Sequence, residues 1–145
     1  MDLRGCVIAA APDREGFVDQ AVLDLAAFAE GRVVGSSEVG VPGTVVLVGK
    51  DAAREAARRY APLRNVGLDG LSDQGFVLKT VRCEDTNFVV CSGGGARGDA
   101  YALIELIRSA DRRGGRVMIE DTDRREEPFF TRRGMYAHQH WAYDR

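Results

Sequence analysis

Two strand-patterned segments joined by three polar residues constrain this chain more than any other feature. Residues 75–83 alternate, with Phe76, Leu78 and Thr80 on one face and Val77, Lys79 and Val81 on the other. Asn87-Phe88-Val89-Val90-Cys91 forms the second segment, and only Glu84-Asp85-Thr86 separates the two. A parallel crossover needs about a dozen residues, so this link forces an antiparallel hairpin. An all-parallel sheet is thereby disfavoured at the outset.

The rest of the chain alternates strand and helix patterns. Cys6-Val7-Ile8-Ala9-Ala10 reads as a strand, and Pro12-Asp13 as a turn and helix cap. Residues 15–30 read as an amphipathic helix, with Phe17, Ala21, Leu25 and Phe28 inward and Gly31 as its stop. Arg32-Val33-Val34 is a short strand, and residues 36–43 are a loop. Thr44-Val45-Val46-Leu47-Val48 is apolar on both faces, which places it in the middle of a sheet. Asp51 is the expected cap of a second helix. Ala53, Ala56, Ala57 and Tyr60 form its inner face, Pro62 ends it, and residues 61–75 form a loop. Asp99 is the expected cap of a third helix over residues 100–113, with Ala100, Leu103, Ile104 and Ile107 as its core stripe and Gly114-Gly115 as its stop. Arg116-Val117-Met118-Ile119-Glu120 reads as the last strand.

With 145 residues the chain has the length of one domain with one core. Its 20 Lys+Arg against 22 Asp+Glu leave a net charge of -2, which gives no electrostatic footprint for nucleic acid or an anionic membrane. No apolar run approaches the ~20 residues of a membrane span. The opening Met1-Asp2-Leu3-Arg4-Gly5-Cys6 is not a basic region followed by a signal-peptide core, so a cytoplasmic location is expected if Met1 is the native start. Cys6, Cys83 and Cys91 lie in or beside apolar runs and lack C-x-x-C spacing, which suits buried thiols better than a disulfide framework, a zinc site or a catalytic thiol.

Gly93, Gly95 and Gly98 spell G-x-G-x-x-G between a strand and a helix, and Glu120 follows at the end of the next strand. Such a loop lets a pyrophosphate approach the backbone at a helix N-terminus, while the acid would hold a ribose. Here the strand before the loop is half of a hairpin, and one clear strand follows rather than several. Both features favour a tight turn that needs positive φ and little side-chain bulk. A nucleotide-binding α/β domain built on Gly93, Gly95, Gly98 and Glu120 is kept as the second reading.

The remaining polar groups are weaker signals. His138 and His140 would share one face of a strand, but two ligands are too few for a metal. Glu84-Asp85 suits a solvated hairpin tip. Glu120, Asp121, Asp123, Glu126 and Glu127 interleave with Arg124 and Arg125, the texture of a charged linker over residues 122–128. Residues 129–145 are aromatic, with Phe129, Phe130, Met135, Tyr136, Trp141 and Tyr143. A tail with that much apolar surface is expected to bury it. A third reading is therefore a self-associating module, in which residues 129–141 dock on another copy.

An ordered series of these segments resembles the N-terminal accessory domain of the family 20 β-N-acetylhexosaminidases and the family 67 α-glucuronidases. Gly75-Phe76-Val77-Leu78-Lys79-Thr80 looks like the family's glycine-aromatic strand, and Asn87-Phe88-Val89-Val90 like its partner. Gly93-Gly94 and Arg97-Gly98-Asp99-Ala100-Tyr101 look like the turn and helix start that follow, although Ala102 stands where a glycine is frequent. Glu127-Pro128-Phe129-Phe130-Thr131-Arg132-Arg133-Gly134 resembles the lead into the first strand of the catalytic TIM barrel. The resemblance implies an α+β fold: a mixed sheet with helices mainly on one face and antiparallel hairpins at its edges. It implies an accessory domain over residues 1–121, a linker over 122–128, and the start of a barrel, or an exposed tail, over 129–145. It also implies no catalytic residue, no metal and no cofactor in this chain. Arg133 would touch sugar hydroxyls only where the barrel is present. The partner would be a catalytic barrel in cis, with carbohydrate reached only through the parent enzyme, or another copy in trans. Neither a nucleic acid nor a membrane is implied.

Overall fold

The structure is a computed structural model, and it describes residues 1–128. The strands are β1 (Val7–Ala10), β2 (Arg32–Gly35), β3 (Gly43–Val48), β4 (Phe76–Arg82), β5 (Thr86–Gly93), β6 (Asp111–Arg113), β7 (Arg116–Met118) and β8 (Asp123–Glu126). The helices are α1 (Gly16–Ala29), α2 (Gly49–Arg59) and α3 (Ala96–Ser109), with a 3₁₀ turn at Ala61–Asn65. Six strands form one sheet in the order β2-β1-β3-β5-β4-β8. The β2-β1-β3-β5 part is parallel, and β4 runs antiparallel to both β5 and β8. The fold is therefore α+β with a mixed sheet, and the hairpin stands as its residues demand, Phe76 opposite Gly93 and Arg82 opposite Asn87. The β2 edge is parallel, where an antiparallel hairpin was expected, because β1 reaches β2 through α1.

Side-chain alternation sorts the core into two layers. Ile8, Val46, Val89 and Cys91 face α1 and α3, while Val45, Leu47, Phe88 and Val90 face α2 and the 3₁₀ turn. Two of the three α-helices thus share one face. β3 is buried on both faces, as its unbroken apolar run requires. On α1 the buried line is Val18, Ala21, Val22, Leu25 and Ala29, with Phe28 packed against it; Ala21, Leu25 and Phe28 face inward as expected, while Phe17 is 49% exposed and Val18 takes its place. Burial of each such Val or Leu contributes roughly 1.5–3 kcal/mol. Gly31 does end α1, but the left-handed residue is Glu30, at φ 52. A Cβ on Gly31 would stand 2.8 Å from the Cys6 carbonyl oxygen, so the glycine is there for close passage beside the start of β1.

Four further expectations are corrected. Asp51 lies inside the first turn of α2, whose cap position is Val48, and makes no side-chain cap bond. α3 begins at Ala96 and ends at Ser109, so Asp99 is inside it rather than before it, and Ile104 is 46% exposed. Gly114 and Gly115, at φ 57 and 75, form the two-residue turn between β6 and β7 instead of stopping a helix. The charged residues 123–126 form the edge strand β8 rather than a linker. Their charges are satisfied locally: Lys79 meets Asp123 at 2.7 Å and Arg124 meets Glu105 at 2.6 Å. Charged side chains on an exposed edge also discourage pairing with another sheet.

Candidate functional site

The strand order creates a crevice. From β1 the chain turns through α1 to β2 on one side. It then returns to β3 on the other side of β1, and α2 covers the opposite face. Ligands of open α/β sheets bind outside the carboxyl ends of strands at such a reversal. Here a crevice of about 300 Å³ opens at the ends of β1, β3 and β5, lined by Asp13, Arg14, Lys50, Asp51, Gly95 and Asp99 among others.

Asp99 is the most perturbed group in it. Its carboxylate accepts a 2.6 Å hydrogen bond from the Gly93 N–H. Burial pushes its pKa up to about 6, while the Gly93 N–H and Lys50 pull it down and Asp51 pushes it up. Gly49 supplies the turn between β3 and α2 at φ +81, and a Cβ there would stand 3.2 Å from Asp99 Oδ2. Arg14 donates to the Ala11 carbonyl at 2.6 Å and pairs with Asp19, so its guanidinium is already engaged. The field in the crevice is divided. Three helices start around it and favour anions, yet Asp13, Glu15, Asp51 and Asp99 oppose them.

The glycine turn beside the crevice is filled by the chain itself. A Cβ on Gly94 would overlap the Ser72 carbonyl oxygen, and one on Gly95 would overlap the Asp73 carboxylate. Gly93 and Gly98 pack directly on each other. The Gly94 N–H donates to the Gly75 carbonyl at 3.0 Å, and the Gly98 N–H to the Asp73 carbonyl at 3.0 Å. None of Gly93, Gly94, Gly95 and Gly98 has a positive φ. Their lack of bulk, rather than a left-handed conformation, is what this turn uses.

Glu120 is not brought to the glycines. Phe76 pairs with Gly93, whereas Thr80 exchanges hydrogen bonds with Thr122, and Arg82 meets Asp121 at 2.8 Å. Glu120 therefore lies toward the other end of the sheet, on the order of 15–20 Å away at the rise of a strand. Arg133, His138 and His140 lie outside the described residues.

The three cysteines are free, Cys6 and Cys91 being buried and Cys83 half-buried. Burial raises all three, Cys6 to about 11, so the thiols stay protonated and weakly nucleophilic. The Ser92 hydroxyl is buried with no hydrogen-bond partner among the described residues. Among those residues no group of three His, Cys, Asp or Glu side chains is placed to hold a metal ion. No helix among them is long and apolar enough to cross a membrane.

Asp99 was legible only as a helix cap, and Asp13, Lys50 and Asp51 carried no motif that marked them as neighbours. The strand order is what joins them. No family model matches the chain, and no curated protein matches it in sequence.

Proposed function

We propose that this chain is a non-catalytic accessory domain of a glycoside hydrolase, packing beside a catalytic TIM barrel. The observation that carries the reading is the way the described chain ends. β8 is hydrogen-bonded into the sheet, and Glu127 after it accepts from the Ser72 N–H at 3.1 Å. The carbonyl of the same Ser72 occupies the space beside Gly94. The segment leading to residue 129 is thus tied to the glycine turn, and an accessory domain that positions a neighbour needs such a fixed exit. The mixed sheet, the hairpin and the self-filled turn fit a packing role. In this reading Arg133 meets sugar only with the barrel around it.

Two measurements test the proposal. The purified 145-residue chain should not turn over aryl N-acetyl-β-glucosaminides or aryl α-glucuronides; turnover that Arg133→Ala abolishes would overturn the reading. An antibody raised against residues 1–128 should detect, in source cells, a polypeptide longer than this chain by at least the about 250 residues of a barrel. A band at the length of this chain alone would also overturn it.

The crevice at the strand reversal favours a second reading, a nucleotide site on the glycine turn. It would have to use the crevice side of Gly95 and Ala96, because the N–H groups of Gly93, Gly94 and Gly98 are already bonded within the chain.

A further inference from the structure

α3 rests on β5 and β4 and leaves the same face of β8 open. The result is a groove of about 280 Å³ between helix and edge strand. Its helix wall is Tyr101, Ile104, Glu105 and Arg108, a stripe at steps of three and four. Phe76 lines it from β4. Tyr101 is 39% exposed and Ile104 46%, two of only four large hydrophobic side chains exposed to that degree among the described residues. The Arg124–Glu105 and Arg124–Glu126 ion pairs, at 2.6 and 3.1 Å, run across the strand side. Pro128, the last described residue, also lines the groove.

The register and the place where the described chain ends point to an occupant. Arg124 pairs opposite Leu78 and Glu126 opposite Phe76, and Leu78 and Phe76 point toward α1 and α3. Even-numbered residues of β8 therefore lie on the α3 side, and beyond the strand's end both Glu127 and Pro128 line the groove. Phe129 and Phe130 follow directly in the sequence. An aromatic pair thus follows within two residues of a half-exposed apolar groove that its own chain has just lined.

We propose that this groove is the docking site of Phe129-Phe130, with the Phe130 ring against Tyr101 and Ile104. The inference is independent of the accessory-domain reading, since it concerns this chain folding on itself. It gives the apolar tail a place to begin burying its surface and makes the exit from β8 a packed junction.

The test uses the full 145-residue chain and a double-mutant cycle. Phe130→Ala and Ile104→Ala should each lower Tm by roughly 3–6 °C, and the double variant should be no lower than the worse single by more than 1–2 °C, roughly the usual additivity error. Additive losses would overturn the proposal. A Phe130→Trp variant in a Trp141→Phe background gives a readout besides stability. Its emission should be blue-shifted and shielded from iodide, and Ile104→Asp should remove both effects; an emission exposed from the start would overturn the proposal. Sedimentation should show a monomer. A dimer that Phe130→Ala dissolves would put the ring in the groove of a second copy and overturn docking within one chain.

Discussion

The molecule makes two strand-to-helix turns side by side and uses glycine differently in each. Between β3 and α2 a single glycine, Gly49, adopts φ +81, which a side chain would strain. Between β5 and α3 three consecutive glycines have no positive φ, and their missing Cβ atoms leave room for residues 71–73 and for Gly98. The first turn needs glycine for conformation and the second for space. The difference traces to neighbours. β3 is flanked by parallel strands whose connections run through helices. β5 is flanked by β4, and the loop that feeds β4 must pass over the glycine turn. A G-x-G-x-x-G spacing reports that something approaches the backbone closely. Here that something is the chain.

The comparison breaks if the two turns respond alike. Gly94→Ala should cost about 3 kcal/mol or more in urea unfolding, because its Cβ meets backbone that cannot rotate away. A loss no larger than that of Gly49→Ala would contradict the space argument.

Asp99 joins the two turns, bonded to Gly93 and facing Gly49, and its titration sharpens the comparison next. Its pKa is about 6 in the folded chain against an ordinary 3.8. The folded state binds the proton more tightly, so the contribution favours folding fully below pH 3.8 and is lost as pH rises through 6. The amount is roughly 2–3 kcal/mol between those limits. Asp99→Asn keeps an acceptor for the Gly93 N–H and removes the titration. The difference in stability between wild type and this variant should therefore shift by that amount between pH 3.5 and 7, with wild type losing ground as pH rises. A difference that stays flat would mean Asp99 is not held in a desolvated site.

Gly49→Ala is the smallest effect, about 1–2 kcal/mol for a left-handed residue. A neutral result would remove the conformational half of the comparison.

Much of the fold was legible because periodicity reports burial directly. The unbroken Val45-Val46-Leu47 run marked a central strand, and the three-residue link between β4 and β5 forced their hairpin. Other elements were hidden for physical reasons. The first turn of α3 contains Gly98, which local propensity disfavours, but its packing on Gly93 requires it there. β8 looked like a solvated linker because its stability comes from pairing with β4 and from ion pairs to Lys79 and Glu105, partners far away in sequence. Phe17 and Ile104 fitted helical stripes yet face outward, since the line that a helix buries is set by where it lies on the sheet. The crevice was not legible at all. Asp13 comes from the loop before α1, Lys50 from the first turn of α2 and Asp99 from the first turn of α3, and only the β2-β1-β3-β5 order brings them together.

The central claim is that the glycines of this turn make room for the chain itself rather than for a phosphate. Calorimetric titration of the 145-residue chain with NAD and with ATP tests it most directly. The account expects no saturable heat with either nucleotide. Saturable binding that Gly95→Val abolishes, in a variant whose unfolding transition remains cooperative, would contradict it.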